Sequence, residues 1–287
     1  AVVTGVVPHD RSAALAQLRA EFEMPGADPA ANVFVAERDG RLSGCAVAHL
    51  EPAVGRAVGE LGVVPEARGR GLGGALLHRL VRRASEAGAR VFHMAAPERD
   101  GVLRDLLVSA EFEHVRTYDT MQRPPGVAGE LPALRGGLSL RRYVPGRDEP
   151  VLADLQNAAF EGAWGFAPNT PEEIRAYVAM RGTRPEDILF AVDDASGTDL
   201  GYIWTGVEAR PDGVSGTIAM TGVRPAARGR GTGSAIIGAG VRHVLECGAG
   251  AVNLEVDGSN DAAISIYRAL GFRKTGENLW YEAKLPA

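Results

Sequence analysis

Two short segments carry the densest chemical signal in the chain. Residues 62–75 read G-V-V-P-E-A-R-G-R-G-L-G-G-A, and residues 222–235 read G-V-R-P-A-A-R-G-R-G-T-G-S-A. Glycines at this spacing let successive backbone N–H groups converge on one anion. A helix start behind them adds the favourable end of its dipole, and the arginines add charge-assisted contacts to phosphate. The residues placed to do this are Arg68, Gly69, Arg70, Gly71, Leu72, Gly73 and Gly74 in the first segment. In the second they are Arg228, Gly229, Arg230, Gly231, Thr232, Gly233 and Ser234. The chemistry implied is a diphosphate site, and it occurs twice.

Other phosphate loops fit less well. Gly69 to Gly74 formally matches G-x-G-x-x-G, but Ser234 breaks that pattern in the second copy. A dinucleotide fingerprint also belongs near a domain's start, whereas four or more strands precede this loop. A G-x-x-x-x-G-K-[ST] loop is excluded, because the only lysines are Lys274 and Lys284.

The elements that position these loops repeat as well. Ten of the fourteen loop positions are identical at a constant offset of 160, and Val81-Arg82 and Gly88-Ala89 return as Val241-Arg242 and Gly248-Ala249. So long a period means two copies of one domain rather than a solenoid. The break falls at 124–137, where Pro124-Pro125-Gly126, Gly129, Pro132 and Gly136-Gly137 interrupt any apolar periodicity. The domains are therefore expected at 1–125 and 138–287. In the second, a helix over 147–160 precedes strands at 188–192, 200–207 and 217–223. Then come the loop, a helix over 231–247, a strand at 251–256, a helix over 260–270 and two short strands at 272–275 and 279–284. The first copy gives a hairpin, a strand, the loop, a helix over 72–87, a strand at 90–95, a helix over 100–109 and two closing strands. This is an α/β chain with a central βαβ unit in each copy.

Composition narrows the function classes. The chain has 287 residues, 45% hydrophobic and 23% charged, with net charge −5. That is ordinary for packed globular domains and argues against a general nucleic-acid binder. No apolar run approaches the ~18–20 residues of a membrane span. Ala1–Asp10 lacks the basic and apolar regions of a secretory signal, and the only cysteines are Cys45 and Cys247, so a cytoplasmic location is expected. His49, His78, His93, His114 and His243 form no ligand spacing, and no metal is expected.

V-x-P-x-x-R-G-x-G-x-G at a strand–helix junction resembles the acetyl-CoA-binding motif of the GNAT N-acetyltransferase superfamily. The second copy adds Leu254-Glu255-Val256, Asn260, Ala263-Ile264, Tyr267 and Leu270-Gly271-Phe272, which resembles that superfamily's other signature. The two-copy layout is similar to the tandem GNAT group that includes mycothiol synthase. The resemblance implies that each copy is a mixed, mostly antiparallel twisted sheet around the βαβ unit. It implies acetyl-CoA as cofactor, with pantetheine beside Thr221, Gly222 and Val223 (Leu61 and Val63 in the first copy), diphosphate on the loop and Asn260 bordering the thioester. A favoured helix N-cap is a second role for Asn260.

Acetyl transfer to an amine needs a base to accept the amine's proton and a donor for the departing thiolate. By the same resemblance Tyr267 is the acid and Glu255 the base, twelve residues apart. At the matching first-copy positions stand Leu107, Ala95 and Asp100 (for Asn260), so that copy is expected to be non-catalytic. Trp164 and Phe166, aromatics among glycines between two early helices, are candidate acceptor walls or ordinary core. In the mycothiol synthase group a glutamate on the preceding strand serves instead, and Thr217 stands there. The expected partner is a small-molecule or peptide amine, on a monomer or homodimer. A non-catalytic acyl-CoA sensor and a mycothiol-synthase-like enzyme remain as alternatives.

Overall fold

The computed structural model describes residue 24 and residues 27–127, 130–180, 183–210 and 213–286. The readings made on Ala1–Asp10 and Gly129 lie outside these residues. After a helical turn at Pro29–Asn32, the first half runs β1 Val33–Arg38, β2 Arg41–Glu51, β3 Arg56–Val63, α1 Leu72–Glu86, β4 Val91–Pro97, α2 Gly101–Ser109 and β5 Glu113–Arg123. The second runs β6 Leu138–Arg142, α3 Glu149–Phe160, α4 Pro171–Met180, β7 Ile188–Asp193, β8 Asp199–Arg210, β9 Gly213–Val223, α5 Thr232–Glu246, β10 Ala251–Asp257, α6 Asp261–Ala269 and β11 Arg273–Lys284.

Both halves build the mixed sheet that the repeat implies, antiparallel except for β3–β4 and β9–β10. The two sheets are one. Its eleven strands run β1-β2-β3-β4-β11-β5-β10-β9-β8-β7-β6. The last strand of each half crosses over: β11 pairs with β4 and β5, and β5 with β10 and β11. At the seam an approximate two-fold relates the halves.

Two closing strands were expected in each copy, and the structure has one. Residues 273–275 and 279–284 are parts of a single β11, and Gly276-Glu277-Asn278, which looks like a turn by composition, runs through the sheet. Register shifts between Lys274 and Gly276 and between Trp280 and Tyr281 absorb the irregularity, as bulges do. Helix α4 was not foreseen; Ile174, its fully buried anchor, lies too isolated in the pattern to announce it.

Helices α1 and α5 pack the same face of the sheet. Leu76, Leu77, Leu80 and Ala84 bury one stripe of α1, and Ile236, Ile237, Val241 and Val244 one stripe of α5. Mid-helix glycines cost about 1 kcal/mol against alanine, yet α5 holds two. A Cβ on Gly240 would lie 2.3 Å from Ile203 Cδ1, and one on Gly238 would lie 3.0 Å from the Pro132 carbonyl. The segment joining the halves therefore runs directly against α5. On the opposite face α3 and α4 cover Phe190, Tyr202 and Trp204.

Candidate active site

The parallel strands separate where the loops need them to. β9 and β10 pair only over Ser215–Thr217 and Ala251–Asn253, then diverge; β3 and β4 pair only over Arg56–Gly59 and Val91–Met94. Each gap opens toward an Arg/Gly loop. The loops have nearly the same backbone: φ is +72° and +81° at Gly229 and Gly231, and +72° and +80° at Gly69 and Gly71. Only glycine takes these angles without strain. Gly231 and Gly71 are the N-caps of α5 and α1, and neither helix start has a side-chain cap. The first N–H groups of each helix are thus left for an external acceptor. Arg228 braces its loop through Nε to Val223 O and Nη2 to Ala159 O, and Arg68 repeats the first bond to Val63 O.

Residues on both faces converge on the β9–β10 gap. Glu255 lies on β10 beyond the last β9 pair, on an exposed position; Asn278 Nδ2 donates to its Oε1. Tyr267 comes from α6, nine-tenths buried, with its ring edge-on to Phe272 at 5.7 Å. Burial pushes its phenol up to about 12. Among the described residues its hydroxyl has no hydrogen-bond partner. Tyr202, across the sheet in the other core cluster, is fully buried with an unpartnered hydroxyl. Burial raises the Tyr202 pKa well above 10, and the Tyr267 phenol adds to the shift. Asn260 caps α6, accepting from Ala263 N at 3.1 Å. Thr221 and Val223 pair with Ile203 and Gly201 on the β8 side, leaving the strand's other edge to the gap.

These features fit acetyl-CoA. Uncapped helix donors and arginines suit its diphosphate, the strand gap suits its extended amide arm, and the orphaned Tyr202 hydroxyl and the unbonded Tyr267 hydroxyl await a polar partner. When bound it supplies an activated acyl group. Of the chain's own groups at the gap, Glu255 presents an exposed carboxylate, and Tyr267 keeps its hydroxyl proton throughout the neutral range.

The first half keeps the scaffold and loses the groups. Asp100 caps α2 at 3.0 Å from Leu103 N, as Asn260 caps α6. Leu107 is fully buried where Tyr267 stands, and Ala95 replaces Glu255. Across the seam Ala95 faces Trp280 while Glu255 faces Thr120. One step further, Gln122 Nε2 donates to Asn253 Oδ1 at 2.9 Å, and the matching pair is His93 Nε2 with Glu282 Oε2 at 2.8 Å. Burial depresses the His93 pKa, against the pull of Glu282.

Trp164 lies in this seam. Its ring is 5.0 Å from His93 and 5.5 Å, edge-on, from Trp280, with Tyr118 at 6.3 Å. These rings fill the first-half side of the seam. Phe166 stacks on Phe160 at 5.5 Å. Tyr118 was missed by sequence reasoning. It sits on β5 opposite Asp257 and Asn278, and burial together with Asp257 pushes its phenol up to about 12. Nothing in the sequence near Tyr118 says that β5 pairs with β10 of the second half. Arg135, against the second loop, was missed for the same reason.

Comparison with known proteins follows this geometry. The acetyltransferase (GNAT) family model matches residues 7–103 and 150–272. Mycothiol acetyltransferase of Stackebrandtia nassauensis is 33% identical over 264 residues, 90% of this chain and 84% of that protein. The Thermobispora bispora mycothiol acetyltransferase is 31% identical over 96% of both. Among solved structures, a tandem GNAT protein from the clavulanic acid biosynthesis pathway superposes with TM-score 0.74 at 19% identity, over 98% of this chain and 91% of that one. A GCN5-related N-acetyltransferase from Sphaerobacter thermophilus gives 0.73 at 22%, over 96% and 86%. At these identities the structures speak for the fold. Two matched regions, two loops and two strand gaps place the chain in one lineage: it belongs to the GNAT acetyltransferase family, whose acetyl donor is acetyl-CoA.

Proposed function

We propose that this acetyl-CoA-dependent N-acetyltransferase performs its chemistry in residues 138–287, completed by β5 of the first half, on a primary amine of a small molecule or amino terminus. The observation that carries the reading is the asymmetry at the two strand gaps. Glu255 and Tyr267 border one; Ala95, Leu107 and a packed Trp164–Trp280 pair border the other. A leucine cannot hold a proton for a thiolate, and an alanine cannot take one from an amine. Residues 1–125 then serve as scaffold, with a phosphate loop that keeps its backbone shape.

A second reading concerns the acceptor. Relatives at 31–34% identity are mycothiol acetyltransferases, which favours a mycothiol-type amine. Thr217, where that group resembles a glutamate user, leaves the base role here to Glu255. The test is free-thiol release from acetyl-CoA across a panel of amines, with mycothiol-type acceptors included. Release should occur in the native chain and vanish on replacing Gly231 with valine. Release that survives that change but is lost on replacing Gly71 would move the chemistry to the first half.

A further inference from the structure

The two loops match in sequence and backbone but not in surroundings. In the first half a Cβ built on Gly71 meets nothing within 4 Å. In the second, a Cβ on Gly231 would fall 2.8 Å from both Cζ and Nε of Arg135 and 3.0 Å from its Nη2. Arg135 belongs to the segment joining the halves, and that segment is fixed. Leu131 packs on the second core, its carbonyl accepts from Arg242 Nη2 at 3.4 Å, and Pro132 rests on Gly238 of α5. The glycine at 238, where the first half has His78, makes room for that path.

The guanidinium is placed against its electrostatic interest. Gly231 is the N-cap of an uncapped helix, the positive end of the dipole, where cations are disfavoured. Arg228 and Arg230 stand in the same loop, and the Arg228 side chain is hydrogen-bonded to carbonyls rather than to a carboxylate. Among the described residues no carboxylate lies within ion-pair distance of Arg135. Like charges converging on a donor-lined helix start favour an anion between them.

We propose that Arg135, carried by the linker, is a diphosphate-binding residue of the second-half acetyl-CoA site. This rests on the acetyl-CoA reading of that loop. A guanidinium fork suits two phosphate oxygens at once. It also makes two loops of nearly identical sequence unequal, giving the half with Glu255 and Tyr267 the stronger hold on its donor. Being remote from the reacting atoms, Arg135 acts on donor binding and not on turnover at saturation.

The experiment is calorimetric titration of the whole chain and of its Arg135→Ala and Arg135→Gln variants with acetyl-CoA and with dephospho-acetyl-CoA, which keeps the diphosphate and lacks the 3′-phosphate. Loss of one charge-assisted contact should weaken both donors by the same factor, roughly tenfold. Any donor held by Arg68–Gly74 has no such arginine, so its affinity stays fixed and serves as an internal control. Arg135 is exposed, and thermal unfolding of the unliganded variants should match the native chain. Unchanged affinity overturns the proposal, and so does tighter binding, which would make Arg135 a competitor for the anion. A loss confined to acetyl-CoA overturns it too, by moving the contact to the 3′-phosphate. A native chain that binds neither donor overturns the acetyl-CoA reading along with it.

Discussion

Replacing Tyr267 by phenylalanine should lower activity without lowering stability. The phenol is buried, with a pKa pushed up to about 12. A coenzyme thiol near 8.5 makes full proton transfer from this group uphill by about 5 kcal/mol. The hydroxyl is therefore expected to work chiefly by hydrogen bonding to charge as it develops on sulfur. Losing one such preorganised donor typically costs about 10²–10³ in kcat. KM for acetyl-CoA should hold, because the loop that grips the diphosphate is untouched. Stability answers to a different sum. The hydroxyl has no hydrogen-bond partner among the described residues, so its removal breaks no bond within the protein. Phenylalanine keeps the ring and its edge contact with Phe272, so the variant should melt at the same temperature or higher. Single-turnover thiol release and urea melts of both proteins read the two effects separately. Unchanged kcat would remove Tyr267 from the chemistry. A joint fall in kcat and stability would make it a structural residue.

Three further outcomes are expected. Glu255→Gln should cut kcat and flatten the acidic limb of the pH–rate profile, which a proton acceptor controls; a native profile would hand the base role to another group. His93 is held neutral by burial, so the unfolded chain takes up the proton first. Its contribution is present above about pH 6.5 and is lost as pH falls through the lower folded value. His93→Asn, the residue found at the matching position 253, should therefore shrink the drop in melting temperature between pH 7 and 5, and an unaltered drop would contradict the assignment. Residues 138–287 expressed alone lack both strands that flank β11, and should dimerise by strand exchange or lose turnover. A fully active monomer, seen by light scattering, would show that β5 contributes nothing to the site.

How much of this was legible depends on whether a feature is local. The loops, their helix starts and the cap at Asn260 are each specified within a few residues, and the structure places them as expected, with Asp100 repeating the cap in the first half. The exchange of β5 and β11 has no local signature. In a duplicated chain β4 and β10 present similar edges, so strand pattern alone cannot say which final strand goes where. The register of Gly276 to Asn278 was lost with it, because a polar run reads as a turn until a partner strand is known on each side. Arg135 was hidden in a proline- and glycine-rich stretch that composition marks only as a joint.

The seam also explains why the copies diverged as they did. With the final strands exchanged, the inner strand of each gap is backed by the other half's last strand, so a change on one strand can be met by its neighbour across the seam. Position 95 is an alanine with Trp280 opposite; position 255 is a glutamate with Thr120 opposite. Position 107 holds a leucine buried as completely as any in the first core. Trading a buried hydroxyl for an aliphatic chain removes an unpaired polar group and leaves apolar area worth about 25 cal/mol per Å². The half with Leu107 is thereby freed to pack. The second half carries Tyr267 and Tyr202 beside its strand gap, and the buried, unpartnered Tyr202 hydroxyl is a destabilising feature that makes sense where a substrate completes it.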